Sequence, residues 1–305
     1  MQRYIIRRIG EAVLALFALS IIIFLMVRLT GDPALLMLPP DAGKEALEDL
    51  RASMGVDKPL VVQYGVFIRD YSTGSFGDSL RSKSPVSELI KDRLPNSMKL
   101  VGAAALIVIL ISIPLGVLSA VYKGTWIDTT CTAIAVLGQA IPVFWLGMIL
   151  IQLFTVKLGW LPSSGMGGFM HYIMPAFSLG FFTVAAITRL LRSSLLEALD
   201  SEYIKLARIK GLSEFVIVWK HALRNSLISV VTLGGIYIAI LITLGILVEV
   251  VFAWPGMGRL LYQGIVFRDF PVVQAVVMIS AGIVITTSLL VDIAYAYLDP
   301  RIRLQ

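Results

Sequence analysis

The sequence predicts an all-α integral membrane protein with six transmembrane helices. Of its 305 residues, 57% are apolar and only 15% are charged, and the mean hydropathy is +0.86. Soluble domains contain about 45–50% apolar and about 25% charged residues, and disordered chains are far less apolar. A soluble globular enzyme and a disordered chain are therefore both excluded, and the apolar excess must face a bilayer.

Six apolar runs carry this prediction, because a helix needs roughly 20 apolar residues to cross a bilayer core about 30 Å thick. They cover residues 9–29, 98–122, 133–156, 173–191, 227–252 and 272–298. The first run follows basic residues, as a signal peptide does. It is longer than the apolar region of a signal peptide, and no small-x-small cleavage site follows it. We therefore interpret it as an uncleaved membrane helix.

The distribution of Lys and Arg predicts the orientation, because these residues are enriched in cytoplasmic loops. If the N-terminus is cytoplasmic, the short outer loops contain only Lys157, Arg259 and Arg268. We therefore expect both termini in the cytoplasm, and Trp160 and Trp254 at the outer interface. The inner segments then contain Arg3, Arg7, Arg8, Lys123, Arg189, Arg192, Lys205, Arg208, Lys210, Lys220, Arg224, Arg301 and Arg303.

This topology divides the chain into three parts. Residues 1–29 form the cytoplasmic N-terminus and the first membrane helix, residues 30–97 an extracytoplasmic segment, and residues 98–305 the membrane core. The outer segment contains a helical pattern over residues 44–54 that stops near Gly55. The cytoplasmic loop 192–226 between the fourth and fifth helices is predicted to contain two short helices that are broken near Gly211.

Motifs for catalysis and metal binding are absent from the sequence. It contains no G-x-x-x-x-G-K-[ST] phosphate loop, no zinc-binding His-Glu-x-x-His and no Gly-x-Ser-x-Gly nucleophile elbow. The single cysteine, Cys131, excludes an intrachain disulfide, and the two histidines are far apart. The net charge of +6 is distributed beside the apolar runs, which indicates membrane orientation and not nucleic-acid binding. We expect no enzyme activity, no bound metal and no cofactor in this chain.

Polar side chains inside the membrane runs are candidates for a transport pathway. The candidates are Gln139, Glu249 and Asp292. Each also has a structural explanation. Gln139 could satisfy backbone groups that Pro142 leaves free, Glu249 could reach the interface, and Asp292 could pair with a basic residue on a neighbouring helix. Both interpretations stay open.

The cytoplasmic stretch from Glu202 to Asn225 contains the most informative pattern. Tyr203, Leu206 and Ala207 have the spacing of one helix face, which could lie in a groove on a partner protein. Gly211 permits a sharp turn after this helix. A helix lying on the inner membrane surface explains the same pattern equally well. The candidate residues are Glu202, Tyr203, Leu206, Ala207, Arg208, Lys210, Gly211, Leu212, His221, Arg224 and Asn225.

The chain resembles the membrane-spanning permease subunits of bacterial ABC importers, of the dipeptide/oligopeptide/nickel type. Ala207 and Gly211 match the Ala and Gly of the coupling loop of that family, whereas Lys205 replaces a Glu and Arg224 a Pro, as is common in the peptide branch. Other matching motifs occur in order along the chain: Gly31-Asp32-Pro33, Gly55-Val56-Asp57-Lys58-Pro59, Gly159-Trp160-Leu161-Pro162, Trp254-Pro255-Gly256, Arg268-Asp269-Phe270-Pro271 and Leu298-Asp299-Pro300-Arg301.

The resemblance implies an inner-membrane importer in which this chain forms half of the pathway. A second, similar permease forms the other half, and two cytoplasmic ATPases, which bind ATP and Mg, each receive a coupling helix. An extracytoplasmic binding protein delivers the substrate. Di- or oligopeptides are the first expected substrates, and glutathione or nickel complexes are the alternatives. A stand-alone secondary transporter, in which Glu249 and Asp292 carry ion coupling, is the hypothesis from another class.

Overall fold

The computed structural model describes residues 2–30, 43–55 and 57–298. The motifs at 31–33 and 299–301, Val56 and the side chain of Arg3 lie outside the described residues. Within these ranges every secondary-structure element longer than an isolated β-bridge is helical, which confirms the all-α prediction. The helices are α1 (Gln2–Thr30), α2 (Lys44–Met54), α3 (Leu60–Ser72), α4 (Val86–Val121), α5 (Trp126–Ala140), α6 (Val143–Leu150), α7 (Met170–Leu199), α8 (Glu202–Ile209), α9 (Glu214–Val216), α10 (Leu223–Val251), α11 (Met257–Val266) and α12 (Phe270–Leu298). A π-helical stretch of seven residues, Ile151–Lys157, continues α6. A second one of six residues, Ile217–Ala222, continues α9.

Five of the described helices are individually long and apolar enough to cross a membrane. These spans are Ile5–Leu29, Val86–Val121, Met170–Leu199, Glu214–Val251 and Phe270–Ile293. A sixth candidate is the pair Trp126–Ala140 and Val143–Lys157, which are bent by 107° relative to each other. The predicted number of six is reached when this pair is counted as one span.

The third predicted helix, over 133–156, is corrected by the structure, because α5 ends before Pro142 and α6 begins after it. Proline disfavours the helical conformation of the residue that precedes it. Ile141 accordingly has an extended backbone, with φ −88° and ψ 122°, and Pro142 stands at the N-terminus of α6. A continuous apolar run therefore contains a sharp change of direction.

The helices group into two compact units. The first comprises Met1–Asn96 and Pro255–Leu289, and the second comprises Ser97–Trp254 and Leu290–Gln305. In the first unit, Val86 and Ile90 of α4 pack with Leu260 of α11 and with Val276 of α12. Tyr64 of α3 bonds to Ser20 of α1 at 2.8 Å. The expected divisions at residues 29 and 97 stay predictions.

In the second unit, α7 contributes more buried residues than any other described helix, and α5, α6 and α10 pack around it. Its main core includes Leu100, Leu179 and Leu241, and Trp254 is fully buried there against Tyr172, with the ring centroids 4.7 Å apart. The Trp254 ring is covered by protein, and its expected position at the outer interface stays a prediction. Trp160, in contrast, is exposed.

Candidate functional site

The candidate site is the segment that links α7 to α10, and it begins with the short helix α8. Ser201 has an extended backbone at the N-terminus of α8, and its hydroxyl donates a hydrogen bond to the carbonyl oxygen of Ala198. Glu202 lies in the first turn of α8 and Arg208 in the last turn. The negative charge of Glu202 lies near the positive end of the helix dipole, and the positive charge of Arg208 lies near its negative end. Both interactions are favourable and stabilise this helix of eight residues.

Gly211 ends this helix, as the sequence predicts. Its φ of +79° lies in the left-handed region, which glycine adopts without a steric cost. The amide of Gly211 donates to the carbonyl oxygen of Arg208 at 2.9 Å, and the amide of Leu212 donates to that of Ala207 at 3.3 Å. These bonds satisfy carbonyl groups that the helix leaves free, and the chain turns directly into α9.

One face of α8 packs against its own chain. Ile204 is fully buried and Ala207 is 9% exposed, in a cluster with Leu191 and Leu195 of α7 and with Ile217. Val117 and Ala120 at the end of α4 also belong to this cluster. We call its members outside α8 the platform, which consists of Val117, Ala120, Leu191, Leu195, Ile217, Val218, Ala222 and Leu223. The platform fixes α8 on the ends of two membrane helices.

The composition of the predicted docking face is therefore corrected. Ala207 contacts the platform, whereas Leu206 is 58% exposed and Tyr203 is 40% exposed. Because Ala207 lies between its own helix and the platform, a small side chain at this position sets how closely α8 approaches α7. The expected role of all three residues in coupling stays a prediction.

The opposite surface of the segment is apolar and uncovered. Leu206, Ile209, Leu212, Phe215 and Trp219 form this surface, which we call the ridge, and Ile209 and Phe215 are 81% and 72% exposed. The Phe215 and Trp219 rings lie beside each other, with centroids 6.2 Å apart. Exposed apolar clusters of this kind mark interaction sites, so the ridge is available for a protein or a membrane surface.

Charged residues alternate in sequence with the ridge residues. Arg208 donates to Glu214 from Nε at 2.8 Å and from Nη2 at 3.4 Å, an ion pair that joins α8 to α9. This bond to Glu214 raises the pKa of Arg208 above its usual value. Lys205 pairs with Glu202 at 2.7 Å, and Lys210 is exposed. The segment thus exposes both apolar and charged side chains.

The end of the segment is tied back to α8. Asn225 Nδ2 donates to the Tyr203 hydroxyl at 2.9 Å, which connects the first turn of α10 with α8. Arg224 beside it is exposed, and His221 is half-buried. Of the predicted coupling residues, Tyr203 and Asn225 thus touch directly, and Arg208 reaches Glu214, which the sequence did not single out.

The predicted pathway residues lie on three different helices. Gln139 of α5 accepts a hydrogen bond from the Arg189 side chain of α7, whereas the structural explanation expected a backbone group near Pro142 as its partner. Glu249 of α10 is only 3% exposed, and Asp292 of α12 is half-buried. Their role in a pathway stays a prediction.

Sequence reasoning missed one ion pair near the platform. Asp128, in the first turn of α5, accepts two hydrogen bonds from Arg192 of α7, each 2.8 Å long. Asp128 is 7% exposed. In the sequence, Asp128 is distinguished only as a single acidic residue in the short link between two apolar runs. Nothing in the local sequence predicts that Arg192 is its partner.

Family models match nearly the whole chain. Residues 112–304 match "Binding-protein-dependent transport system inner membrane component". Residues 1–101 match the N-terminal model of binding-protein-dependent transport system membrane components. The chain belongs to this family. It is an ABC importer permease of the peptide and nickel type, as the resemblance implies.

Relatives of known name match the permease over its full length. It is 39% identical over 304 residues to the glutathione transport system permease protein GsiC of Escherichia coli strain K12, covering 99% of each chain. The protein of the same name from Shigella dysenteriae serotype 1 matches equally well, at 39% identity over 99% of each chain.

Solved structures support the fold. The permease resembles an amino acid ABC transporter crystallised with histidines, with a TM-score of 0.56, 14% identity, and coverage of 69% of this chain and 94% of that chain. It also resembles the MetNI methionine ABC transporter in an inward-facing conformation, with a TM-score of 0.55, 21% identity, and coverage of 69% and 96%.

Proposed function

We propose that this permease forms half of the pathway of an ATP-driven importer for small peptides, and that the segment 202–225 couples it to cytoplasmic ATPases. The observation that carries the proposal is the uncovered ridge on α8 and α9, in a chain whose sequence contains no phosphate-binding loop. Energy from ATP must then enter through a protein contact, and the segment exposes the apolar and charged side chains that protein interfaces combine.

Both termini and the segment lie on the cytoplasmic side in this proposal. The basic residues of the segment agree with that side, because Lys and Arg are enriched in cytoplasmic loops. The partners are a second, similar permease, two ATPases that bind ATP and Mg, and an extracytoplasmic binding protein. This chain itself binds no cofactor and catalyses no reaction.

The substrate class is a short peptide, with glutathione as the first compound to test. The relatives that match over 99% of their length are glutathione permeases by name, and glutathione is itself a small peptide. This order combines the peptide expectation from the sequence with the identity to these relatives. A nickel complex stays the alternative substrate in the same family.

The test uses the complete importer, purified through a tag on this chain and reconstituted into proteoliposomes that contain ATP. We expect both ATPases to co-purify, and labelled glutathione to enter only with ATP and the binding protein. Recovery of the chain alone, with uptake driven by an ion gradient, would contradict the proposal. Mass spectrometry of the ligand on the cognate binding protein decides between glutathione, another peptide and nickel.

A charge swap tests the segment itself. Arg208→Glu breaks the pair with Glu214, and the double variant R208E/E214R restores that pair in the opposite direction. If Arg208 also contacts the ATPase, the swap leaves uptake low in spite of the restored pair. Full rescue of uptake by the double variant would mean that Arg208 acts through its bond to Glu214 and does not contact the ATPase.

A further inference from the structure

The carboxylate of Asp128 is the meeting point of three membrane helices. Its Oδ1 accepts from Arg192 Nε at 2.8 Å, from the Ser119 hydroxyl at 2.5 Å and from the Thr132 hydroxyl at 3.4 Å. Its Oδ2 accepts from Arg192 Nη2 at 2.8 Å and from the Gly124 amide at 3.0 Å. The buried charge is thus paired and fully hydrogen-bonded, which burial of a carboxylate requires.

These partners come from elements that meet beside the coupling segment. Ser119 belongs to α4 and lies between Val117 and Ala120, two members of the platform. Arg192 belongs to α7 and directly follows Leu191, another platform residue. The ion pair thus joins α5 to α4 and α7, the two membrane helices that also contribute residues to the platform.

The Asp128 carboxylate adds a directional link between α5 and α7 to the close packing of these two helices. The platform residues come from α4, from α7 and from residues 217–223, and none of those described comes from α5. Apolar contacts are non-directional, whereas a two-point Arg–carboxylate pair fixes both distance and orientation. Movement of α8 can thus reach α5 at this point through Arg192 and Asp128.

We propose that Arg192 and Asp128 are positioning residues for transport, which make α4 and α5 move together with α7 when the ATPases displace the coupling segment. Coupling between distant sites needs an element that both sites bias, and the Asp128 carboxylate joins the helix that carries the segment to two further membrane helices. The proposal rests on the proposed coupling function of residues 202–225. Loss of this pair separates ATP hydrolysis from transport.

The test compares uptake with ATP hydrolysis in proteoliposomes that contain the complete importer. Arg192→Lys keeps the charge but loses the two-point geometry, and Ser119→Ala keeps the ion pair but removes the bond to α4. We expect Arg192→Lys to lower uptake per ATP hydrolysed by about tenfold, within the range of roughly 5- to 150-fold typical of coupling between sites. Ser119→Ala should lower it less. Arg69→Lys, in the exposed Arg69–Asp70 pair, is the matched control.

The ratio distinguishes a positioning role from a purely structural one. If the variants lower only the amount of complex in the membrane, and uptake per ATP equals that of the wild type, the proposal is overturned. If Arg192→Lys does not assemble, Ser119→Ala alone decides, and an unchanged ratio overturns the proposal. Failure of the coupling function itself is recognised separately, because the wild-type importer would then show no ATP-driven uptake.

Discussion

The Ser79 hydroxyl donates a hydrogen bond of 2.5 Å to the Asp269 carboxylate, although the two residues are 190 positions apart in the sequence. The backbone amides of Leu80 and Arg81 donate to the same carboxylate, at 3.0 and 3.4 Å. Asp269 is only 3% exposed. The buried Asp269 side chain thus connects the loop that precedes α4 with the turn between α11 and α12.

Asp269→Ala should destabilise this fastening. The variant removes the acceptor and leaves the Ser79 hydroxyl and two amides unsatisfied, which costs about 1–3 kcal/mol for a buried polar group. We expect a lower midpoint of thermal unfolding in detergent, measured by tryptophan fluorescence. The loss of stability in the double variant S79A/D269A should be smaller than the sum of the losses in the two single variants. Strictly additive losses of stability would contradict a direct interaction.

Gly211→Ala should impair coupling without affecting the membrane helices. Open space surrounds the position, so the cost arises from the φ of +79° and amounts to about 1–2 kcal/mol for a residue with a side chain. A cost of about 1.4 kcal/mol lowers the equilibrium constant for the correctly folded segment about tenfold, so we expect reduced ATPase binding. The measurement is the ratio of ATPase to permease after purification.

The control for Gly211→Ala is Gly102→Ala in α4, which also meets open space but needs no left-handed backbone. It should retain the ATPases at the wild-type level. Equal retention in both variants would show that the turn at Gly211 is not required for binding.

Gly138→Ala should disturb the contact between α5 and α7. A Cβ atom at Gly138 would lie 2.8 Å from the Cβ of Ala185 and 2.9 Å from the carbonyl oxygen of Phe181, and neither atom can move without shifting α7. Overpacking of this kind costs about 1–3 kcal/mol. We expect reduced thermal stability of the purified complex, whereas Gly234→Ala in α10 meets open space and should be neutral or stabilising. Similar behaviour of the two variants would contradict this close packing.

The helices themselves could be predicted from the sequence, because apolar runs and helix-ending residues act locally. The helix expected over 44–54 is observed at Lys44–Met54, and Gly55 ends it with a φ of +63°. The break at Gly211 has the same local origin. Relationships between helices could not be predicted. Apolar spacing does not say that Ala207 packs on its own platform, and no local pattern links Asp128 to Arg192, 64 positions later.

The bend between α5 and α6 shows the limit within one element. Hydropathy treats residues 133–156 as one run, and Pro142 indicates a break in the helix. The direction of the chain after that break depends on packing within the second unit. One example is the close approach of Gly147 in α6 to the ring of Phe252, which follows α10. The angle of 107° is therefore a tertiary property.

Ile209→Ser tests the ridge most directly. Because Ile209 is 81% exposed, its replacement leaves the platform intact, and the thermal midpoint of the isolated permease should not change. If the ridge is the ATPase contact, loss of a central apolar side chain costs about 1–2 kcal/mol and lowers ATPase retention by about tenfold. Val61→Ser in α3, at an equally exposed position, is the matched control and should retain the ATPases. Wild-type retention and uptake in Ile209→Ser would exclude the ridge as the docking surface and would favour contact with the membrane surface instead.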